Sequence, residues 1–198
     1  MPLRQVSLRE RFHLDPASSV SLHRQIAQWV RRVIYIGAFS KMLFPAIRLG
    51  YIVAPPALME MCVLAQRFQS THPPILEQMA LADFLAEGHY ARHLRRMRAL
   101  YAARQAALLT AIRRECGKLL EVDAPQAGMH IVGWLRPGVA DTEIARRATE
   151  QGLEVVALSA MSRRPLRRGG LALGYAACSE ADIQAGVRIL AQRVREVG

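Results

Sequence analysis

Apolar residues in the first half of the chain alternate between helical and strand-like spacing. The spacing from Leu22 to Val33 predicts an amphipathic helix, and the β-branched and aromatic run from Val33 to Ile36, stopped by Gly37, predicts a short buried strand directly after it. The further predicted elements are a strand over 49–53, a helix that offers Leu58, Met61, Cys62, Leu64 and Ala65 to a core, and a helix from Ile75 to about Gly88.

The second half begins with a long alanine-rich stretch from Tyr90 to Arg114 that contains no glycine or proline, and it predicts one long helix. From Gly117 onward strand and helix patterns follow each other. The predicted elements are strands over 119–122, 129–135, 153–158 and 170–175 and helices over 142–151 and 179–197. Ser179 and Asp182 are placed to begin the last helix. This order predicts an α+β layered architecture.

Composition narrows the class of protein. The chain has 198 residues, of which 52% are hydrophobic, so it is long enough to bury a core. It contains no apolar run of membrane-spanning length, and its first residues are rich in charge, so we expect a soluble cytoplasmic protein without a membrane partner. Cys62, Cys116 and Cys178 are too widely spaced to predict a zinc site or a disulfide framework.

The net charge of +11 has two explanations. It fits an acidic partner such as nucleic acid or an anionic cofactor, and it equally fits the arginine-rich composition of a GC-rich genome. The four arginines of one helical stretch fit either a nucleic-acid-binding face or an ordinary solvated face; they are Arg92, Arg95, Arg96 and Arg98. His89 and His93 share the spacing of metal ligands but lack a further ligand pattern, so no metal site is predicted.

The segment between the two predicted strands of the first half holds the best candidate chemistry. Lys41 is preceded by Ser40 and followed seven residues later by Arg48. A lysine that acts as a nucleophile needs partial desolvation and a neighbouring cation, because both favour the neutral amine. Arg48 could supply that cation and could also bind a phosphate. A surface lysine in a turn is the alternative.

The pattern F-S-K-x-L-x-P-x-x-R-x-G-Y over Phe39–Tyr51 resembles the lysine signature of class I/II, fold-type I aminotransferases, and most closely the aminotransferase-like domain of MocR-type regulators of the GntR family. The resemblance implies that Lys41 binds pyridoxal 5′-phosphate (PLP) and that Ser40 and Arg48 contact its phosphate. It also implies an α/β fold, a homodimer and an amino acid or small amine as ligand. Further similar segments are Ala127–His130, Gly152–Val155, Leu171–Ala176 and Ser179–Val187.

The resemblance also predicts how the chain is organised. Residues 1–33 resemble the first helix of a GntR-type winged helix-turn-helix, residues 34–90 a remnant of the aminotransferase large domain with the PLP lysine, and residues 91–198 the linking helix and small domain. The family's recognition helix and its residues around the PLP ring are missing between the first two parts, which implies an internal deletion. Sequence-specific DNA binding would lose its recognition helix in this way.

Two smaller differences concern single residues. Ala38 stands where the family usually has a phosphate-binding serine or threonine, and Ala172 stands where many aminotransferases have an arginine for the substrate carboxylate. A nearby basic loop could replace that arginine or could be solvated; its arginines are Arg163, Arg164, Arg167 and Arg168. His130 is expected to be packed or hydrogen-bonded.

Three functional hypotheses therefore remain after the sequence is considered. The first is a PLP-dependent aminotransferase, in which Lys41 binds the cofactor and transfers the α-proton of an amino acid. The second is a MocR-like transcriptional regulator whose PLP domain senses a small amine. The third is an inactive deletion remnant with exposed apolar surface.

Overall fold

The computed structural model describes residues 33–70, 74–125 and 128–197. The chain divides into two units, with the boundary between Tyr90 and Ala91. The predicted helix over 22–33 lies outside the described residues except for its last position. We call the described part up to Tyr90 the first unit and the part from Ala91 the second unit.

The first unit consists of a hairpin and two helices. Strands β1 (Tyr35–Ala38) and β2 (Gly50–Val53) pair antiparallel, with Tyr35 opposite Val53 and Gly37 opposite Tyr51. Helix α1 (Pro56–Gln69) begins after Pro55, and helix α2 (Ile75–Ala86) begins after Pro74, because proline is tolerated before or in the first turn of a helix but not in its interior. Helix α3 (His89–Glu115) starts within this unit.

The first unit buries few of its apolar side chains. Its buried hydrophobic residues are Leu49, Ala54 and Leu81, and none of the residues of α1 is buried. Ile36 of β1 is 73% exposed and Phe68 of α1 is 89% exposed. The predicted strand and helices are confirmed to within two residues at most ends, but the prediction that β1 is buried is wrong. A two-stranded hairpin has no second layer to cover it.

The second unit contains the main part of α3 and a four-stranded sheet with three further helices. The elements after α3 are β3 (Glu121–Val122), β4 (His130–Trp134), α4 (Asp141–Thr149), β5 (Val156–Ala157), α5 (Leu158–Met161), β6 (Gly170–Gly174) and α6 (Glu180–Val197). The strand order is β3-β4-β6-β5, and all neighbouring strands are antiparallel. The strands predicted over 119–122 and 153–158 are shorter than expected, since a 3-10 turn precedes β3 and α5 follows β5 directly.

One face of this sheet forms the core of the second unit. Ile131 of β4 and Leu171 of β6 are fully buried, whereas their outward neighbours Val132 and Ala172 are not, which is the alternation expected of a sheet covered on one side. The covering helices contribute buried residues at helical spacing: Leu108, Leu109, Ile112, Ile144, Ile183, Val187, Leu190 and Val194. Leu120 fills the space beside Gly133, where a Cβ atom would lie 2.8 Å from the leucine side chain.

The buried carboxylate of Asp141 links three elements of the second unit, α4, α5 and β6. Asp141, 3% exposed, starts α4 and accepts hydrogen bonds from the backbone N–H groups of Ser159 and Gly170, both at 3.0 Å, and from the Ser159 hydroxyl. Burial alone would raise the pKa of Asp141, but these hydrogen bonds hold it below its ordinary value. The sequence pattern did not single out this residue.

The last helix begins as the sequence predicts. The Ser179 hydroxyl accepts a hydrogen bond from the Asp182 N–H at 3.2 Å, and the Asp182 carboxylate accepts one from the Ser179 N–H at 3.0 Å. This reciprocal pair is a capping box with aspartate in place of glutamate. None of the helices in the described parts of the chain combines the length and apolar character that a bilayer crossing requires.

Candidate functional site

The loop between β1 and β2 holds the three residues that the sequence predicts as a site. The loop is closed at its base by a hydrogen bond from the Phe39 N–H to the Leu49 carbonyl at 3.1 Å. Directly after this point the Phe39 carbonyl accepts hydrogen bonds from the N–H groups of Met42 and Leu43, which forms a tight turn. Ser40 and Lys41 lie in that turn. Ser40 is half-buried and Lys41 is exposed.

Arg48 has an unusual backbone conformation. A short 3-10 helix, Pro45–Ile47, precedes it, and its φ of 50° lies in the left-handed region. No other non-glycine residue within the described ranges has a positive φ. An L-residue pays about 1–2 kcal/mol for this conformation, so the surrounding loop must hold it in place. Strain of this kind is concentrated at functional sites, which makes Arg48 a candidate beyond its motif position.

An aromatic cluster supports one face of the hairpin beneath the loop. The Tyr51 ring lies across Gly37, where a Cβ atom would come within 2.3 Å of Tyr51 Cζ, so a larger residue there would displace the ring. The Tyr51 ring centroid is 5.8 Å from that of Tyr35 and 5.5 Å from that of Phe39, and the Phe39 ring also meets Tyr90 edge-on. Burial, and then the hydrogen bond with Tyr35, raise the pKa of Tyr51 to about 12. We did not predict this cluster.

Ser40 and Arg48 line a common open cleft of about 610 Å³. The other residues that line it include Ile36, Ile52 and Cys62. Lys41 is next to Ser40 in the chain but is not among the residues that line the cleft. The structure thus brings two of the three predicted residues to one cleft, and Lys41 is not part of its lining.

The donor set around this cleft fits a phosphate. A hydroxyl and a guanidinium line it, the lysine amine is adjacent in sequence, and the chain has no aspartate or glutamate from Val33 to Met59. A phosphate dianion is favoured where cationic donors are uncompensated by acid. The ring nitrogen of a pyridine-type cofactor would have no acidic partner in this cleft. None of the described residues that line the cleft is acidic, so none could keep that nitrogen protonated.

Other candidates from the sequence have different surroundings. Ala172 lies on the outer face of the second unit's sheet, opposite Val132 and Val156, so that position is apolar. Arg168 of the basic loop pairs with Glu121 at 2.8 Å and lies over the Trp134 ring, while Arg163, Arg164 and Arg167 are exposed. His130, which was expected to be packed or hydrogen-bonded, is exposed and therefore not packed in the core. No group of residues suited to a metal ion occurs in the described ranges.

Comparison with known proteins places the chain among aminotransferases and their regulator relatives. The profile of the family Aminotransferase class I and II matches residues 12–190. The chain is 38% identical over 159 residues to the probable rhizopine catabolism regulatory protein MocR of Rhizobium meliloti, covering 80% of this chain and 32% of that protein. It is 32% identical over 163 residues to 2-aminoadipate transaminase of Thermus thermophilus, covering 82% and 41% respectively.

Solved structures give the same result. The α-aminoadipate aminotransferase LysN of Thermus thermophilus, solved with N-(5′-phosphopyridoxyl)-L-leucine, has a TM-score of 0.79 and 30% identity over 89% of this chain and 45% of its own. The kynurenine aminotransferase of Pyrococcus horikoshii has a TM-score of 0.76 and 26% identity over 84% and 41%. The fold is therefore part of the fold-type I PLP-dependent transferase fold. The chain spans about a third to two-fifths of the length of these curated relatives.

Proposed function

Since the chain belongs to the aminotransferase class I and II family, we propose that its Lys41 loop binds PLP covalently and that the domain serves amino-group transfer. The observation that carries the proposal is the shared cleft of Ser40 and Arg48 beside Lys41, in a segment without acidic residues. We also assign residues 34–90 to the cofactor-bearing large-domain part, residues 91–198 to the linking helix and small domain, and residues 1–33 to a GntR-type helix; this division remains a prediction.

Each of the three residues has a distinct part in the proposed site. Lys41 would hold the cofactor covalently through its side-chain amine. The Ser40 hydroxyl and the Arg48 guanidinium donate hydrogen bonds to the phosphate, and the guanidinium also supplies charge. When bound, PLP withdraws electrons from the α-carbon of an amino acid. Lys41 Nζ would then hold and return the α-proton, the role of a general base.

The residues that line the cleft also affect the expected rate of amino-group transfer. An electron-withdrawing ring needs an acidic partner at its nitrogen to reach full effect, and the described lining of the cleft supplies none. We therefore propose that this chain binds PLP but catalyses amino-group transfer slowly. We also propose an amino acid or small amine as the ligand and a homodimer as the assembly.

The chain offers a matched test of the lysine, because Lys41 and Lys118 are its two lysines and both are exposed. Purified protein is incubated with PLP and reduced with borohydride, and the labelled peptide is identified by mass spectrometry. We expect the adduct at Lys41, its loss in Lys41→Ala and its retention in Lys118→Ala. Equal labelling of the two lysines would show that only exposed amines react, and the proposal would fail.

A second test separates phosphate binding from the reaction of the amine. Arg48→Gln removes a charged hydrogen-bond donor, and such bonds are worth about 1.5–3 kcal/mol, so its Kd for PLP should rise roughly tenfold or more. Pyridoxal, which lacks the phosphate, should bind Arg48→Gln and the unchanged protein alike. A matching loss for both ligands would mean that Arg48 shapes the loop rather than binding phosphate.

The regulator relatives support a second candidate function. The chain is 38% identical to a catabolism regulatory protein, and as a second candidate we propose a domain that responds to a small amine without completing a transfer. The two functions differ in the fate of an added amino acid: transfer converts it into its 2-oxo acid over many turnovers, whereas sensing changes PLP absorbance without that product.

A further inference from the structure

The first unit contains a second cleft beside the one that Ser40 and Arg48 line. Its volume is about 490 Å³, and residues of the hairpin, α1 and α2 line it. We call it the apolar cleft, and we call the cleft of Ser40 and Arg48 the cofactor cleft. Leu49, Gly50 and Gln66 line both clefts, so the two adjoin each other. A group attached to a ligand in the cofactor cleft is thus within reach of the apolar cleft.

The apolar cleft begins at the base of the Lys41 loop. Phe39 and Leu49, whose backbone hydrogen bond of 3.1 Å closes that loop, both line the cleft. The Phe39 ring is held by Tyr51 and Tyr90, at centroid distances of 5.5 and 5.7 Å. The contacts that fix the base of the Lys41 loop therefore also fix one end of the apolar cleft.

Helix α2 contributes one of its faces to the apolar cleft. Its lining residues Gln78, Leu81, Ala82 and Leu85 are spaced i, i+3, i+4 and i+7, which places them on the same side of the helix. Leu49 and Leu81 are 9% and 8% exposed, and they are two of the three buried hydrophobic residues in the described part of the first unit. Part of the lining thus consists of side chains that the fold already holds in place.

The described lining of the apolar cleft carries no charged side chain. Its polar side chains are the amides of Gln66 and Gln78, both exposed, and Arg48 lines the cofactor cleft but not this one. A charged group that entered the cleft would lose hydration without gaining an ionic partner, whereas an apolar group gains free energy by leaving water. The cleft therefore favours an uncharged, apolar group.

We propose that the apolar cleft receives the side chain of the amine ligand, and that this side chain is uncharged and apolar. The inference rests on the proposed binding of an amine at the Lys41 loop, and it names the substrate class of that site: amino acids or amines with an aliphatic or aromatic side chain. The cleft volume lies within the range of about 300–1,000 Å³ that is usual for ligand pockets.

The first experiment uses the cofactor-free full chain, so its result does not depend on PLP. Benzyl alcohol, an uncharged probe, is titrated against protein with ¹³C-labelled leucine methyl groups, and NMR follows the signals of Leu49, Leu81 and Leu85. Ala82→Phe fills the cleft. Ala80→Phe is the matched control, because it adds the same ring to an exposed position of α2 outside the described lining.

We expect benzyl alcohol to shift these leucine signals in the unchanged protein and in Ala80→Phe. Its affinity for Ala82→Phe should be lower by about tenfold or more, because the ring of the variant occupies the space that the probe would fill. Circular dichroism verifies folding, and Ala82→Leu is the smaller replacement if Ala82→Phe does not fold. Unchanged binding in the folded variant would overturn the proposal.

The second experiment compares amino acids on the PLP-loaded protein, through the change in PLP absorbance. L-norleucine and L-2-aminoadipate have the same carbon chain, but the latter ends in a second carboxylate. Norleucine should bind about tenfold more tightly than either 2-aminoadipate or alanine, because its butyl group is apolar and longer than a methyl group. Ala82→Phe should remove this advantage and leave the affinity for alanine unchanged.

The possible failures have different signatures. Equal affinities for norleucine and alanine, tighter binding of 2-aminoadipate, or leucine signals that no longer respond at high protein concentration because a second copy covers the cleft would each overturn the proposal. A missing PLP adduct at Lys41 would contradict the proposed function, and the benzyl alcohol titration would still decide whether the cleft binds apolar groups.

Discussion

The first and second units bury apolar residues to very different extents, although the described sequence of the first unit is the richer in apolar residues. In the second unit the sheet is covered on one face by α3, α4 and α6, and Ile112, Ile131 and Ile144 are fully buried. Among the described residues of the first unit, β1 and β2 pair only with each other, and Ile36 and Ile52 remain more than half exposed. The stable core and the candidate cofactor loop thus lie in different units.

The difference shows that matching a family's motif and building a family's core are separate requirements. Phe39–Tyr51 needs a tight turn and an aromatic support, both of which are local. A core needs two layers, and the first unit has no second sheet layer among its described residues. The solved relatives are more than twice as long as the region that this chain matches.

The largest contrast should come from removing the same atoms in each unit. Ile112→Ala creates a cavity in the packed core and should lower the free energy of unfolding by about 2–5 kcal/mol. Ile36→Ala, its matched control at an exposed position, should change it by less than about 0.5 kcal/mol. Urea unfolding followed by circular dichroism measures both. Similar losses for the two variants would contradict the unequal packing of the units.

An intermediate effect is expected at Asp141. Asp141→Ala leaves the Ser159 and Gly170 donors without an acceptor and should cost about 1–3 kcal/mol of unfolding free energy. The exposed Asp123→Ala is the control, and it should be near neutral.

The same carboxylate predicts a dependence on pH. Its pKa is lowered in the folded state, so its stabilising contribution is present above the unfolded-state pKa of about 3.9 and is lost as the pH falls through the folded-state pKa. The free energy of unfolding of the unchanged protein should therefore fall more steeply below about pH 4 than that of Asp141→Asn. Parallel pH profiles of the two proteins would show that Asp141 does not cause the loss of stability at low pH.

The smallest effect on stability is expected on the exposed face of α1. Phe68→Ser changes a side chain that is 89% exposed, so the free energy of unfolding should shift by less than about 0.5 kcal/mol. Self-association, followed by light scattering against protein concentration, should nevertheless decrease, because exposed apolar patches promote contact between molecules. A large loss of stability with unchanged association would mean that Phe68 packs within its own chain.

The elements that sequence patterns predicted well are those whose signal is local. The long helix now bounded by His89 and Glu115, the Ser179 cap and the strand pair around the Lys41 loop each depend on spacing or capping within one segment. Burial was predicted wrongly for β1, since the same apolar run suits a covered strand and an uncovered one. The roles of Ser40, Lys41 and Arg48 stay predictions.

By itself, the sequence determined the family, the order of helices and strands, and the residues of the candidate site, because motif and periodicity are carried by neighbouring positions. Only the tertiary structure decided that Tyr51 lies across Gly37, that Arg48 adopts a left-handed conformation, and that Ser40 and Arg48 meet at one cleft. It also decided that Asp141 links α4 to α5 and β6, and that the second unit is packed whereas the first is open. The Asp141 contacts and the core packing join residues far apart in the chain. The contacts within Gly37–Tyr51 form only once the hairpin has folded, so spacing and motif do not reveal them.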